Sequence, residues 1–402
     1  MSYLDKLLDG VEVEWKTLEE IAIKISSGGT PNTCVSTYYN GDIPWLRTQE
    51  VGSGDIWNTG VKITKLGLEN SSAKMIPENC VIVAMYGATV GKVGINKIPL
   101  CTNQACANIH LNKNVSNYRY VYHFLLSQYE YIKSLGAGSQ TNINAQIVKK
   151  LKIPIPYPHN KEKSLEIQKE IVRILDTFTE LTTELTTELT TRKKQYDYYR
   201  DQLLNFDDVE VEWKPLKKVA EYSNARISFE KLDKNNYVGV DNLLPNREGK
   251  TFSTYVPQSG NATKYNTNDI LIGNIRPYLK KIWHSNQLGG TNGDVLVIHP
   301  TDNNIISRFL YHILADDKFF AYNMQHAKGA KMPRGNKSKI MEYQIPIPTI
   351  EEQERIVSIL DKFDTLTTSL SEGLPKEIAL RKKQYEYYRD MLLTFPKNNL
   401  TA

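Results

Sequence analysis

The strongest constraint on this chain is that it repeats itself. Arg192 to Phe206 reads RKKQYDYYRDQLLNF, and the segment returns at Arg381 to Phe395 as RKKQYEYYRDMLLTF. Val11-Glu-Val-Glu-Trp15 recurs as Val209-Glu-Val-Glu-Trp213, and Ile153-Pro-Ile-Pro156 as Ile345-Pro-Ile-Pro348. Between these, Thr102-Asn103 and Ile109-His110 match Thr291-Asn292 and Ile298-His299, while Arg119, Tyr122 and His123 match Arg308, Tyr311 and His312. Gln168, Ile171-Val and Ile174-Leu-Asp176 return as Gln353, Ile356-Val and Ile359-Leu-Asp361. A duplicated chain folds as two similar halves. Identity is dense in the helical segments and thin between them. Tyr3-Leu-Asp-Lys-Leu-Leu8 also echoes Tyr199-Arg-Asp-Gln-Leu-Leu204, which suggests a ring-like, pseudo-twofold arrangement with the chain termini close together.

Each half reads the same way. A short helical stretch (Leu18 to Ile25; Leu216 to Ala220) precedes short strands such as Ile43 to Val51, Val81 to Tyr86, Ala105 to Leu111, Ile270 to Asn274 and Asp294 to His299. A helix follows (Tyr118 to Ser134; Ile305 to Tyr322), then a polar loop containing glycine, then the Pro-x-Pro pair, which holds the chain extended. The expected fold class is α/β (α+β), repeated twice. Two domains of mixed short strands and helices occupy 1–160 and 207–348. Two long antiparallel helices, 161–206 and 349–396, form a coiled-coil spacer.

After each Pro-x-Pro the apolar period becomes helical. Ser164 is placed to cap the first helix and Thr349-x-x-Glu352 is a capping-box pattern for the second. From Ser164 to Leu204 a helix would run roughly 60 Å. Ile171, Leu175, Phe178, Leu181 and Leu185 form one stripe, and Ile356, Leu360, Phe363, Leu366 and Leu370 its partner. Thr179 to Thr190 is TELT three times over, with Leu181, Leu185 and Leu189 on a ridge. The second helix carries Ser371-Glu-Gly-Leu-Pro375 instead and is four residues longer before the RKKQY segment. Gly373 and Pro375 are expected to break it.

Composition excludes several classes. With 40% hydrophobic and 24% charged residues this is an ordinary globular chain, and it has no apolar run long enough to cross a bilayer. The opening MSYLDKLLDGVEVEW lacks the apolar core of a signal peptide, so a cytoplasmic location is expected. Cys101, Cys106 and His110 could suggest zinc, but free core thiols explain the cysteines better, and no metal is expected. Gly87-x3-Gly91-Lys92 resembles a phosphate-binding loop, yet it is one residue short and has Val93 where a hydroxyl is needed. A glycine turn between strands is the better reading. Asp241, Glu248 and Lys250 have the spacing of a metal-dependent nuclease core but no equivalent in the first half. Nucleophile pairs, GxSxG, HExxH and the amino-methyltransferase motif are absent, which argues against a catalytic chain.

What remains is recognition. A net charge of +5 permits binding to nucleic acid, and Arg, Asn and Gln are suited to base edges. The candidates are Arg47, Thr48, Gln49, Lys92, Gln140, Thr141 and Asn142 in the first half and Arg276, Lys280, Lys281, Lys331, Arg334 and Lys337 in the second. For any one of them a solvated surface group is the competing explanation. The clusters Gly136 to Asn142 and Lys328 to Lys337 carry more weight than single members.

The motif order resembles the specificity subunit of type I restriction-modification systems over essentially the whole chain. The residues carrying it are the EWK-x-L openings, Gly28-Gly-Thr-Pro31, Ile43-Pro-Trp45, the IPIP ends, the Q-x2-IV-x-ILD helices and the RKKQY-x-YYRD tails. The TELT run resembles the tetrapeptide repeats of one subclass. The resemblance implies two target recognition domains, each reading half of a split site in double-stranded DNA. It further implies two modification (methyltransferase) subunits docked on this chain, with restriction (endonuclease) subunits completing the assembly. S-adenosylmethionine, ATP and Mg2+ would belong to those partners and no cofactor to this chain. Partner docking falls on Arg192, Lys193, Lys194, Tyr196, Tyr199 and Arg200, and on Arg381, Lys382, Lys383, Tyr385, Tyr388 and Arg389; mutual helix packing is the other explanation of that repeat. Two further readings are a stand-alone nuclease component and an independent DNA-binding regulator.

Overall fold

A computed structural model describes residues 10–52, 54–136, 142–207, 210–369 and 372–395. The chain divides into two compact units, one of residues 1–183 with 380–402 and one of 184–379. The echo at Tyr3 to Leu8, the candidates Gln140 and Thr141, and the spacer positions Leu370 and Ser371 lie outside the described residues.

In the first unit the elements in order are β1 (Val13–Thr17), α1 (Leu18–Ile21), β2 (Ala22–Ser27), β3 (Tyr39–Leu46), β4 (Gly54–Ile56), β5 (Val61–Ile63) and α2 (Lys65–Glu69). Then come β6 (Val81–Ala84), β7 (Val93–Asn96), β8 (Cys101–Thr102), β9 (Cys106–Leu111), α3 (Tyr118–Ser127), α4 (Tyr129–Ser134), α5 (Ala145–Lys150), β10 (Lys152–Pro156) and α6 (Lys161–Leu203). The second unit continues with β11 (Glu212–Pro215), β12 (Ala220–Tyr222), β13 (Arg226–Ser228), β14 (Tyr237–Val238), β15 (Asn261–Tyr265), β16 (Ile270–Gly273), β17 (Ile282–His284), β18 (Gly289–Thr291) and β19 (Val295–Pro300). It closes with α7 (Ser307–Leu314), α8 (Asp317–Gln325), α9 (Lys337–Ile340), β20 (Gln344–Ile347) and α10 (Ile350–Thr368), and α11 (Gly373–Leu393) follows.

The repeated motifs turn out to be partners of one another. β1 pairs antiparallel with β10, from Val13↔Pro156 to Thr17↔Lys152, and β11 pairs with β20 in the same sense. The Glu-Trp-Lys opening and the Ile-Pro-Ile-Pro ending thus form one two-stranded ribbon that ties off each domain. Such ribbons have free edges, so prolines without an N–H are tolerated. Within each tie the sheet order repeats: β2-β9-β6-β7 in the first unit, extended by β4, and β12-β19-β16-β17 in the second. β6 and β16 are buried along their whole length, which is why both read as unbroken apolar runs. A short parallel pair also recurs, β3 with β8 and β14 with β18. Gly28 is required here, because a Cβ would lie 1.9 Å from the Thr102 carbonyl oxygen. The Trp45 indole donates to the Gly29 carbonyl at 2.9 Å, joining the two motifs Gly28-Gly-Thr-Pro31 and Ile43-Pro-Trp45.

Helix ends and caps differ in part from the expected ones. The first long helix starts at Lys161, as the span 161–206 has it, but its cap is not Ser164: Asn160 Oδ1 accepts from the Lys163 amide at 3.0 Å, and Ser164 is buried one turn in, bonded to Gln168. Thr349 caps the second helix, accepting from the Glu352 amide at 3.3 Å, as read from the sequence. The helices expected over Tyr118 to Ser134 and Ile305 to Tyr322 each divide in two, the second because Asp316 caps a new helix at Asp317. The turn at Gly87 to Gly91 simply joins antiparallel β6 and β7.

The second spacer helix is broken as expected. α10 ends at Thr368 on an extended Ser369, and α11 begins at Gly373 with φ +75°. A Cβ there would sit 2.5 Å from the Thr365 carbonyl oxygen. Gly373→Ala is therefore expected to lower stability by about 1–3 kcal/mol, read by equilibrium urea unfolding; an unchanged midpoint would contradict the required left-handed corner.

Candidate nucleic-acid interface

Each domain is fixed to a long helix by a partly buried polar clamp, built from residues the sequence repeats. In the first unit Gln168 of α6 accepts from the Asn117 amide at 2.8 Å and donates to the Val115 carbonyl, pinning the start of α3. Two turns on, Asp176 Oδ1 accepts from His123 Nε2 at 2.7 Å and from Arg119 Nη2 at 2.9 Å. Arg119 Nη1 also reaches Asp55 of β4 at 3.1 Å. In the second unit Gln353 holds the Ile306 amide at 2.8 Å, and Asp361 accepts from Arg308 Nε and His312 Nε2, both at 2.7 Å. The second Arg308 contact goes to Asp364, one turn along the same helix, at 2.8 Å.

Burial works against the charge on Asp176, but the bonds from His123 and Arg119 outweigh it and hold the carboxyl below its usual value. The same balance holds Asp361 low. Burial pushes the His123 and His312 rings down in spite of those carboxylates. A neutral His123 ring fits its partners, with Nε2–H donating to Asp176 and Nδ1 3.2 Å from the Tyr385 hydroxyl.

On the first domain, hydrogen bonds join several of the sequence candidates into one rim. Arg47 Nε meets Glu50 at 2.9 Å, and the other Glu50 oxygen accepts from the Gly60 amide at 2.6 Å. Thr89 Oγ1 donates to the Thr48 carbonyl at 2.9 Å, and the Gly87 amide donates to Asn142 Oδ1 at 3.3 Å. Gln49 is exposed on this rim and Lys92 half-exposed. Thr48 departs from its expected role: its side chain is buried and its hydroxyl is spent on Asn103 at 3.0 Å, so it braces the loop from inside.

The second rim divides similarly. The Arg276 amide donates to the Pro333 carbonyl at 2.7 Å, bringing Arg276 beside the hairpin of Lys328 to Arg334. Arg276, Lys331, Arg334 and Lys337 are exposed, with Arg334 loosely paired to Asp294 at 3.4 Å. Lys280 and Lys281 are engaged elsewhere, Lys280 with Asp317 at 2.8 Å and Lys281 with the Val240 carbonyl at 2.7 Å. Burial lowers both ammonium groups below the usual lysine value. Each ammonium thus spends one of its three N–H donors inside the fold.

The RKKQY-x-YYRD segments have two faces. Tyr196 and Tyr199 stack on Phe363, Tyr388 stacks on Phe178 and Tyr385 packs beside His123. Arg200 is 3% exposed and faces Asp197, Asp201 and Asp316 at 3.3 to 3.6 Å, whereas Arg389 pairs with Asp390 at 2.7 Å. Arg192 is held by Glu188 at 2.7 Å, and Arg381 bonds Gln384 at 2.8 Å. Outward stand Lys193 and Lys194 with Tyr198, and Lys382 and Lys383 with Tyr387; the two tyrosines, 62% and 65% exposed, escaped the sequence reading. Their signal was present, since both lie in the repeat. In the spacer, Leu181, Leu185 and Leu189 are half-buried.

Features weighed as chemistry do not assemble. Glu248 faces Lys193 at 4.0 Å, while the Lys250 ammonium donates to the Asn235 carbonyl and lies 5.1 Å from the Trp283 ring centre. Cys80 and Cys106 are buried, their thiols pushed up to about 12 by that burial, and burial pushes Cys101 up to about 11. No helix among the described residues is long and apolar enough to cross a membrane.

A family model described as the type I restriction modification DNA specificity domain matches the chain twice, at residues 10–192 and 208–380. The chain is 36% identical over 412 residues to the type I restriction enzyme EcoR124I/EcoR124II specificity subunit of Escherichia coli, covering 99% of this chain and 98% of that one. It is 33% identical to the EcoprrI specificity subunit of the same organism, with 92% of each covered. Among solved structures, the type I restriction-modification S subunit from M. genitalium has the same fold, with a TM-score of 0.61 at 17% identity over 99% of this chain and 100% of that one.

Removing one side of the clamp tests its weight. Asp176→Asn leaves half-buried Arg119 with Asp55 as its remaining counter-charge and is expected to destabilise the first unit by about 1–3 kcal/mol in chemical denaturation. Asp361→Asn costs less, because 37% of that side chain faces water and screening weakens the pair. Acid has a separate effect. The unfolded chain takes up protons on histidine near pH 6.5, whereas burial keeps His123 and His312 neutral to lower pH and His284 neutral to about 4. Their contribution is therefore complete above about pH 6.5 and is lost as pH falls below it. A melting temperature flat from pH 7 to 5 would contradict this.

Proposed function

The chain belongs to the type I restriction modification DNA specificity family, and from that premise we propose that it is the recognition subunit that gives a restriction-modification complex its split DNA target. Each domain reads one half of a bipartite site in double-stranded DNA. Two modification subunits dock on this chain and restriction subunits complete the assembly. The chain is not itself catalytic: S-adenosylmethionine, ATP and Mg2+ act in the partners, within the cytoplasm.

The observation that carries this reading is the division of labour within each unit. Sheet order, closing ribbon and helix clamp are repeated, while rim residues such as Arg47 and Gln49 in one domain and Arg276 and Arg334 in the other fall outside the repeated motifs. Two copies of one scaffold with different polar edges suit a target of two unrelated halves. The outward lysines and tyrosines of the two RKKQY segments give equivalent docking positions for two identical partners, and their inward residues account for helix packing. The nuclease alternative is weakened by the separate engagements of Glu248 and Lys250.

The TELT run sets the gap between the half-sites. Four helical residues add about 6 Å and turn the helix by roughly 40°, against about 3.4 Å and roughly 35° for one base-pair step. Rotation matches one step, and tilt of the helix against DNA absorbs the surplus rise. Deleting Thr183 to Thr186 is expected to shorten the gap by one base pair with both half-sites unchanged. Methylome sequencing of cells expressing the complete system reads this directly; an unchanged gap sinks the mechanism, and the absence of a split methylated site sinks the reading as a whole.

A further inference from the structure

In both units the strand of the parallel pair leads into a loop that presents large aromatic side chains to water. In the stretch after β3 it is Trp57, in the turn between β4 and β5 and 65% exposed; in the stretch between β14 and β15 it is Phe252 and Tyr255, each 68% exposed. The positions correspond in topology, since β3 pairs in parallel with β8 as β14 does with β18. Their sequences do not correspond, so descent of one loop from the other does not explain the shared exposure.

These loops are fixed, not frayed. Before Trp57, β4 lies parallel to β7 through Asp55↔Ile95, and Asp55 takes Arg119 at 3.1 Å. After it, buried Thr59 accepts from the Trp45 amide at 3.1 Å and donates to the Val61 carbonyl at 2.7 Å. In the second unit buried Ser253 sits between the two aromatics, its amide donating to the Lys234 carbonyl at 2.9 Å, and the Thr251 amide donates to the Asn242 carbonyl at 2.8 Å. Each loop also adjoins a cationic rim. Glu50, which holds Gly60, holds Arg47 as well. The Lys250 ammonium is 6.0 Å from the Phe252 ring centre, and Lys281 bonds Val240 of the same connection. A rigid, wet aromatic ring adds little to folding, and it enters an apolar contact with almost no ordering cost.

We propose that Trp57 in the first domain and the Phe252–Tyr255 pair in the second are apolar probes. Each makes ring contact with the bases of the half-site that its own domain reads, meeting thymine methyls or a base step that the ring parts. This rests on the reading given under Proposed function and adds residues to it that are neither charged nor hydrogen-bonding.

The test uses the full chain assembled with its modification subunits and a pool of random-sequence duplex DNA, comparing wild type, Trp57→Ala, Trp57→Phe and the double variant Phe252→Ala/Tyr255→Ala. Trp57→Ala is expected to bind the wild-type site roughly tenfold more weakly. It should relax base preference in one half-site only, and the double variant should do so in the other. Trp57→Phe retains preference, and all variants keep the wild-type melting temperature because the rings are exposed. Wild-type selection and affinity in the alanine variants overturn the inference while leaving the parent reading intact. So does a loss shared equally by both half-sites, or a loss of modification subunits from the complex, which would make these rings a protein contact. A wild-type complex that selects no split site overturns the parent reading and this inference with it.

Discussion

The structure of each unit depends on one partly buried carboxylate. Asp176 and Asp361 sit on the inner faces of the long helices, where an unpaired charge would be costly, and each is met by an arginine and a histidine from the neighbouring domain helix. Apolar packing alone could let a helix slide or rotate by a fraction of a turn. An arginine fork and a ring nitrogen meeting one carboxylate fix both register and rotation, and the glutamine eight residues earlier fixes a second point. A domain clamped in this way transmits the position of the helix to its own loops. In the first unit Arg119 carries the connection further, from helix to β4 through Asp55.

That clamp explains which residues the two halves share. Repeated positions have partners inside the fold: the ribbon strands, Gln168 and Gln353, the arginine–histidine pairs, the inward tyrosines. Divergent positions lie on the rims, where Arg47, Gln49, Arg276 and Arg334 make few or weak internal bonds. Outside the outward lysines and tyrosines of the RKKQY segments, repetition follows internal contact, and the rim residues are bonded locally, as Arg47 is to Glu50.

Much of the architecture was legible in the sequence because the duplication supplied a second copy against which to read the first. The two long helices, the break at Gly373, the Thr349 cap and the burial of β6 and β16 all follow from period, cap and turn chemistry. Pairing was harder. That the Glu-Trp-Lys and Ile-Pro-Ile-Pro motifs are one ribbon is a contact across more than a hundred residues, to which local propensity is blind. The site was read least well. Thr48, Lys280 and Lys281 have the residue types of DNA contacts, but burial and internal bonds engage them, and residue type does not report either. The exposure of Trp57, Phe252 and Tyr255 is equally invisible in residue type, since aromatic side chains are more often buried.

The TELT run is built from a unit that satisfies its own hydrogen bonds. Along α6 the threonine hydroxyls donate to carbonyls four residues back, as Thr179 does to Leu175, Thr183 to Thr179 and Thr190 to Thr186. Each TELT unit therefore brings its own satisfied hydroxyls and one leucine, and Leu181, Leu185 and Leu189 are only half-buried. Removing one unit leaves the same bonding pattern and returns the ridge to nearly the same side of the helix, displaced by roughly 40°. Removing one, two or three residues would turn leucines away from the ridge and threonines into it. The second spacer helix has no such unit: α10 ends at Thr368, and the helical bonding restarts at Gly373 in a left-handed conformation that only glycine adopts without strain.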